Sequence, residues 1–286
     1  MTFSIVAADV GAGDWGVAVA SKFPAVGAVV PWARAGVGAV ATQSWANTDY
    51  GPQGLALMAE GSSAQEALDR LVAGDEGRER RQAGMVDARG GAATFTGGGC
   101  LPWAGGLTGP GYACQGNILV GEEVVRAMAR AFEEAGGDLV DRLLAALVAG
   151  DEAGGDRRGR QSAALLVVRE GGGYEGRNDR YVDLRVDDHP QAVRELVRVF
   201  EVYDREILVR HDPLHPVTPE LAREVQRRLA ALGRYVGPET GRLDGPTREA
   251  LAAWAGELNL EGRLRDDDLL SDQLLRELRD VTPEVS

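Results

Sequence analysis

Phe3-Ser-Ile-Val-Ala-Ala8, then Asp9-Val-Gly-Ala-Gly-Asp14, then Trp15-Gly-Val-Ala-Val-Ala20 is the stretch on which the fold turns. Two short apolar runs parted by a hexapeptide of turn formers read as strands joined tightly, so the chain opens on a hairpin. A second apolar pair, 26–32 and 37–42, is parted by Ala33-Arg-Ala-Gly36 and repeats the pattern. Four consecutive strands of this kind predict an antiparallel sheet. Their apolar residues hardly alternate with polar ones, which predicts that both faces of that sheet are covered.

Downstream the period changes. Residues 55–60 and 63–73 read as two helices, the second opened by a capping box in which Ser63 stands three residues before Glu66. Residues 85–88 and 92–95, bent at Arg89-Gly-Gly91, form another hairpin. A glycine-rich loop over 97–111 leads to a strand at 112–119, and helices follow over 122–134 and 138–149. A loop at 150–161 precedes strands at 163–169 and 181–186 and a helix at 193–204. Blocks of strands followed by blocks of helices indicate an α+β sandwich of layers, not an alternating parallel fold. The prolines of His211-Asp-Pro-Leu-His-Pro-Val-Thr-Pro219 mark a semi-rigid linker. Beyond it, a helix over 220–232 carries Leu221, Val225, Leu229 and Leu232 on one stripe. Pro246 opens another over 246–258. The expected division is 1–210, the linker 211–219 and a small all-α domain 220–286.

At 286 residues the chain can hold one large core or two domains, and 44% hydrophobic with 26% charged residues is a globular balance. The net charge of −13 argues against nucleic acid or an anionic membrane as partner. No run reaches the roughly 18 apolar residues of a membrane helix, and no secretory signal is recognised. Cys100 and Cys114 suit free thiols in a reducing compartment. A cytoplasmic protein is expected. His189, His211 and His215 do not combine with the thiols at zinc-site spacing, so neither a metal nor another cofactor is expected.

Ahead of the first apolar run stands Thr2. Removal of Met1 would leave a hydroxyl and an α-amine on one residue. Such an amine titrates at roughly 7.7 to 8.0 and can take its own hydroxyl's proton. Further on, Asp156, Arg157, Arg158, Arg160, Gln161 and Ser162 crowd a polar loop before the 163–169 strand. Their guanidinium forks suit a substrate carboxylate; the alternative is a network that neutralises some of the acidic excess. Gln115-Gly-Asn117 precedes a helix, where unpaired N–H groups attract anions and Asn117 can donate to an oxyanion. The alternative there is a plain strand-to-helix turn. Ser21 and Lys22 follow the second strand, and Gln43 and Asn47 the fourth, in loops that reach one end of the sheets. Trp45 fits a pocket wall and Trp32 a core.

Residues 1–210 resemble DUF1028, a bacterial and archaeal family of unknown function classed with the N-terminal-nucleophile (Ntn) hydrolases. The likeness lies in Thr2-Phe-Ser-Ile-Val-Ala7, Gly16-Val-Ala-Val-Ala-Ser-Lys-Phe-Pro-Ala-Val-Gly27, Thr42-Gln-Ser-Trp-Ala-Asn47, Gln115-Gly-Asn-Ile-Leu119, Gly155-Asp-Arg-Arg-Gly-Arg-Gln-Ser162 and Asn178-Asp-Arg-Tyr-Val-Asp-Leu-Arg-Val-Asp-Asp-His-Pro190. The resemblance implies a four-layer αββα sandwich whose first strand presents the nucleophile, here Thr2. It also implies an oxyanion loop at Asn117 and an Asp and a Ser nearby, at Asp156 and Ser162. Proteasome-like members of that superfamily carry a lysine on the third strand; Val26–Trp32 has none, and Lys22 or Arg34 would have to substitute. Residues 218–262 resemble a peptidoglycan-binding-like helical module, through the helix ending in Leu232-Gly233 and the one bearing Trp254. With no export signal recognised, packing or oligomerisation is its expected role.

The expected function is hydrolysis of a C–N bond in a small polar, anionic amide, ureide or short peptide by a homo-oligomer. Thr2, Asn117, Asp156 and Ser162 would be catalytic. Ser21, Lys22, Gln43, Asn47, Gln115, Arg157, Arg160 and Gln161 would bind substrate. The rivals are a non-catalytic Ntn-like binding or assembly protein and a cyclic-amide hydrolase using a water activated by Asp156.

Overall fold

The computed structural model describes residues 2–208 and 210–282. The chain separates into two compact units, one ending at Phe200 and one beginning at Glu201. In the first, β1 (Thr2–Asp9) and β2 (Asp14–Ser21) form the expected opening hairpin. The next pair, β3 (Pro31–Arg34) and β4 (Gly38–Ser44), does not continue that sheet. It joins β5 (Arg81–Asp87) and β6 (Ala92–Thr96) in a separate four-stranded sheet ordered β3-β4-β5-β6. The opening hairpin instead lies at the centre of a six-stranded sheet with β7 (Gly105–Gly109), β8 (Tyr112–Asn117), β9 (Ser162–Arg169) and β10 (Arg180–Val186), ordered β10-β9-β2-β1-β8-β7. All ladders are antiparallel.

The division of the first four strands has a local cause. Residues 26–32, expected as a strand, begin as a 3-10 turn over Val26–Ala28, entered through Ala25 at φ 51°. The Val26 N–H is taken by Ser162 Oγ at 3.2 Å, so the chain turns away from β2 before extending again at Pro31. A strand apolar on both faces carries no mark of its neighbour, and this turn supplies it. The two sheets meet across Val6, Val17 and Val19 on one side and Ala39, Ala41 and Val86 on the other.

The outer faces are covered by helices. α1 (Tyr50–Ala59) and α2 (Ala64–Gly74) pack on β4, β5 and β6, burying Leu55, Met58 and Leu68 against Val40 and Met85. Each large side chain so buried contributes about 1.5–3 kcal/mol. The Ser63–Glu66 capping box is formed as expected. α1 starts five residues earlier than its sequence suggests, because Gly51 and Gly54, poor helix formers, are where the Trp32 ring and the Met85 side chain come closest. α3 (Glu123–Glu134) and α4 (Leu139–Glu152) pack on β8, β1 and β2. α5 (Ala192–Tyr203) follows β10. Within the stretch expected as loop, β7 forms from Gly-Gly-Leu-Thr-Gly, a sequence of low strand propensity, because β8 offers a complete ladder.

The second unit departs from an all-α domain. α6 (Pro219–Ala231) and α7 (Gly245–Glu257) are the expected helices, with Val225 and Leu229 in the core beside Leu251 and Trp254. Part of the proline-rich linker is a strand, β11 (Leu214–Pro216), paired with β12 (Leu269–Ser271). α8 (Asp272–Asp280), not foreseen, places Leu274, Leu275 and Leu278 in the same core. Among the described residues no helix is long and apolar enough to cross a membrane.

Gly84 of β5 lies beneath the Gln115 side chain of β8, where a Cβ would overlap the amide. Gly84→Ala should therefore destabilise the chain by about 1–3 kcal/mol, read as a lowered urea midpoint in equilibrium unfolding.

Candidate functional site

Register assembles the site. β1 pairs with β2 so that Thr2 faces Ser21, and with β8 so that Thr2 faces Asn117; β2 pairs with β9 so that Ser21 faces Ser162. Directly paired residues point to one side of a sheet. Asn117, Thr2, Ser21 and Ser162 therefore form a transverse row of four polar side chains, all buried. Thr2 is 5% exposed, and its Oγ1 lies 3.2 Å from Ser21 Oγ. Met1, whose removal the nucleophile reading requires, lies outside the described residues.

Beneath the row runs an amide network that links the two sheets. Ser4, two residues along β1 and thus on the same face as Thr2, donates from Oγ to Gln43 Oε1 at 2.7 Å and accepts from Gln115 Nε2 at 2.7 Å. Gln43 Nε2 donates to Gln82 Oε1 at 2.8 Å and, at 3.4 Å, to the Thr2 carbonyl. Asn117 Nδ2 donates to the same Gln82 oxygen at 2.8 Å, while Gln82 Nε2 donates to the Gly116 carbonyl at 2.7 Å. Gln82 and Ser4 were missing from the sequence reading. Period-two alternation from Thr2 is the signal for Ser4; Gln82 stands three residues before the apolar run 85–88, on a strand that begins at Arg81.

The 151–162 loop closes the other end of the row. Asp156 accepts from the Lys22 backbone N–H and the Arg158 N–H, each at 2.8 Å, and from the Arg158 guanidinium. Ser162 Oγ donates to the Phe23 carbonyl while accepting from Val26. A cavity of about 50 Å³ lies here, with Phe3, Ser21, Asp156, Arg160 and Ser162 in its wall.

Several expected roles change with the geometry. Arg160 is no open fork: its Nε reaches both oxygens of Asp151, at 2.6 and 2.9 Å, and that bond raises the guanidinium above its ordinary value. Lys22 Nζ donates to the Arg160 carbonyl, and Gln161 Nε2 to Asp188 on the surface. Arg157 is exposed, and its guanidinium has no partner among the described residues. Gln115 is wholly enclosed in the amide network. The N–H groups after Asn117 are not open to an anion either. Those of Ile118, Leu119 and Val120 donate to the carbonyls of Leu101, Trp103 and Gly155, and α3 starts only at Glu123. Trp45, expected in a pocket wall, is 65% exposed beneath the Arg80 guanidinium. Among the described residues no three His, Cys, Asp or Glu side chains converge as a metal site.

Asn47 belongs to a different cluster. Its Nδ2 donates to Asp75 Oδ2 at 3.3 Å, which also accepts from Tyr50 Oη at 3.1 Å and Arg81 Nε at 2.8 Å. Arg81 foremost, helped by the Gly77 N–H, Asn47 and Tyr50 and opposed by burial, holds the Asp75 carboxyl well below the usual range. Burial and the Asp75 charge push the Tyr50 phenol upward.

A family model described as "Family of unknown function (DUF1028)" matches residues 2–196. Residues 208–278 match one described as "Putative peptidoglycan binding domain". The chain is also similar to a crystal structure of a DUF1028-family protein from Silicibacter pomeroyi, at 32% identity and a TM-score of 0.65. That match covers 71% of this chain and 89% of the other. No curated protein matches.

Gln82→Leu should cost at least about 2 kcal/mol, since it leaves Asn117 Nδ2 and the Gly116 carbonyl buried without that partner; thermal and urea unfolding measure it. Asp75→Asn should cost about 2 kcal/mol at neutral pH. Because folding depresses this carboxyl, its contribution is present above the unfolded value near 3.9 and fades as pH falls below it. The difference between wild type and Asp75→Asn should therefore shrink between pH ~4 and more acid conditions, a trend that paired unfolding curves report.

Proposed function

This chain belongs to the DUF1028 family, and we propose that its first unit is an Ntn-type hydrolase of a C–N bond in a small polar, anionic amide, ureide or short peptide. In this reading the helix pairs and the two sheets form the four-layer αββα sandwich of that superfamily, with Thr2 at the head of its central strand. The observation that carries it is the buried row Asn117–Thr2–Ser21–Ser162. It surrounds a hydroxyl with groups able to donate to an oxyanion and to relay a proton.

With Met1 removed, the Thr2 α-amine takes the Oγ1 proton as that oxygen adds to the substrate carbonyl carbon. The carbonyl π electrons move to oxygen, for which Asn117, in register with Thr2, is the side-chain donor. Collapse of the tetrahedral adduct breaks the C–N bond, and the ammonium returns its proton to the leaving nitrogen. Water then cleaves the Thr2 ester by the same route in reverse. Arg157, exposed beside Asp156, is the cation left for the substrate's negative group.

A second reading rests on one feature of the site. The cavity of about 50 Å³ beside Ser21 and Ser162 has room for one or two waters at roughly 30 Å³ each, too little for a substrate or a ligand, which favours the assembly form of the non-catalytic Ntn-like reading. The cyclic-amide alternative is weakened because both oxygens of Asp156 are already engaged.

Intact-mass measurement combined with an amide screen separates these readings. The hydrolase reading expects loss of the Met1 mass, turnover retained in Thr2→Ser, and a fall of about 10³-fold or more in Thr2→Ala. Retained Met1, or turnover unchanged in Thr2→Ala, overturns it.

A further inference from the structure

Among the described residues, three buried side-chain nitrogens lack a hydrogen-bond partner, and two of them, Arg263 Nη1 and Gln273 Nε2, belong to adjoining side chains. Arg263 ends a 3-10 turn over Glu261–Arg263, and Gln273 is the second residue of α8. The Arg263 side chain is 2% exposed and Gln273 is 5% exposed. Arg263 Nε donates to Gln273 Oε1 at 2.8 Å, and Nη2 donates to the Arg205 carbonyl. Both residues line a cavity of about 270 Å³, together with Asp204, His211, Asp212 and Arg276.

The surrounding carboxylates leave the Arg263 charge poorly matched. Asp212 comes no nearer than 4.0 Å to Nε, and its oxygens accept from Ser271 Oγ and the Gln273 N–H. Asp204 is paired with Arg210, and Asp272 with Arg276. Burial accordingly pulls the guanidinium below its ordinary value, against the opposing pull of Asp212 and Asp204. A buried donor left unmatched is costly, and more so when it is charged.

We propose that this cavity of the second unit is a binding site for a carboxylate group, held by Arg263 Nη1 and Gln273 Nε2. Two donors on joined, rigidly packed side chains match the two coplanar oxygens of one carboxylate. Glu201, Asp204 and Asp212 on the same wall disfavour a doubly charged phosphate. The volume, that of about nine waters at roughly 30 Å³ each, admits a small acid or the end of a peptide. The site is independent of the chemistry at Thr2.

Calorimetric titration of the full chain tests it, with acetate as one probe, and an N-acetylated dipeptide acid and its C-terminal amide as the others. Acetate should saturate at one per chain. Gln273→Glu keeps the acceptor for Arg263 Nε but replaces the donor with a negative oxygen, and should weaken acetate at least ~10-fold; Gln273→Met serves if that variant does not fold. Tighter binding of the dipeptide acid than of acetate, with none by the amide, identifies a chain terminus as the natural group. Acetate binding with no dipeptide binding identifies a free small acid. Non-saturable acetate binding, equal binding by wild type and variant, or a crystal grown in acetate with only water on both nitrogens overturns the proposal.

Discussion

The pairing of β1 with both of its neighbours is the constraint from which the candidate site follows. Side chains alternate along a strand, so a slip of one residue would carry Thr2 and Ser4 to the opposite face and bring Phe3 and Ile5 between the sheets. Apolar packing alone specifies this weakly, because β1 is apolar on both sides. The amides specify it strongly. Ser4, Gln43, Gln82, Gln115 and Asn117 satisfy one another only in the observed register, and each buried polar group stranded by a slip would cost about 1–3 kcal/mol. The network that orients Asn117 thus also sets the strand that positions Thr2.

Around that row the chain uses its arginines mostly on itself. Arg158 and Arg160 go to Asp156 and Asp151, and Arg169 grips the fully buried Asp14 through two bonds of 2.6 Å at the far end of β2. A buried carboxylate needs such a partner, since leaving it single costs several kcal/mol. Of the cations that looked like substrate ligands in the primary structure, Arg158 and Arg160 are therefore first of all the counter-charges of acids close by in space.

The two units treat their buried polar atoms differently. Among the described residues, the unpartnered buried nitrogens, Arg227 Nε, Arg263 Nη1 and Gln273 Nε2, all lie in the second unit. The amide network of the first unit is internally closed, which suits a rigid scaffold. In the second unit Arg263 Nη1 and Gln273 Nε2 are buried without an acceptor.

Local chemistry determined a good part of this protein. The opening hairpin, the Ser63 capping box and the helices after β8 follow from periodicity, turn formers and caps, which act over a few residues. The likeness to DUF1028 was equally legible, since it rests on contiguous runs. Tertiary structure decided what depended on distant partners. It split the first four strands between two sheets, made a strand of Gly105–Gly109, and used Gly51 and Gly54 as contact points inside a helix. It drew Thr2, Ser21, Asn117 and Ser162 into one row, sent Asn47 to the Asp75 cluster, and enlisted Ser4 and Gln82. Hydrogen-bond satisfaction and charge pairing are settled by neighbours up to well over a hundred residues away in the chain, and no local window contains them.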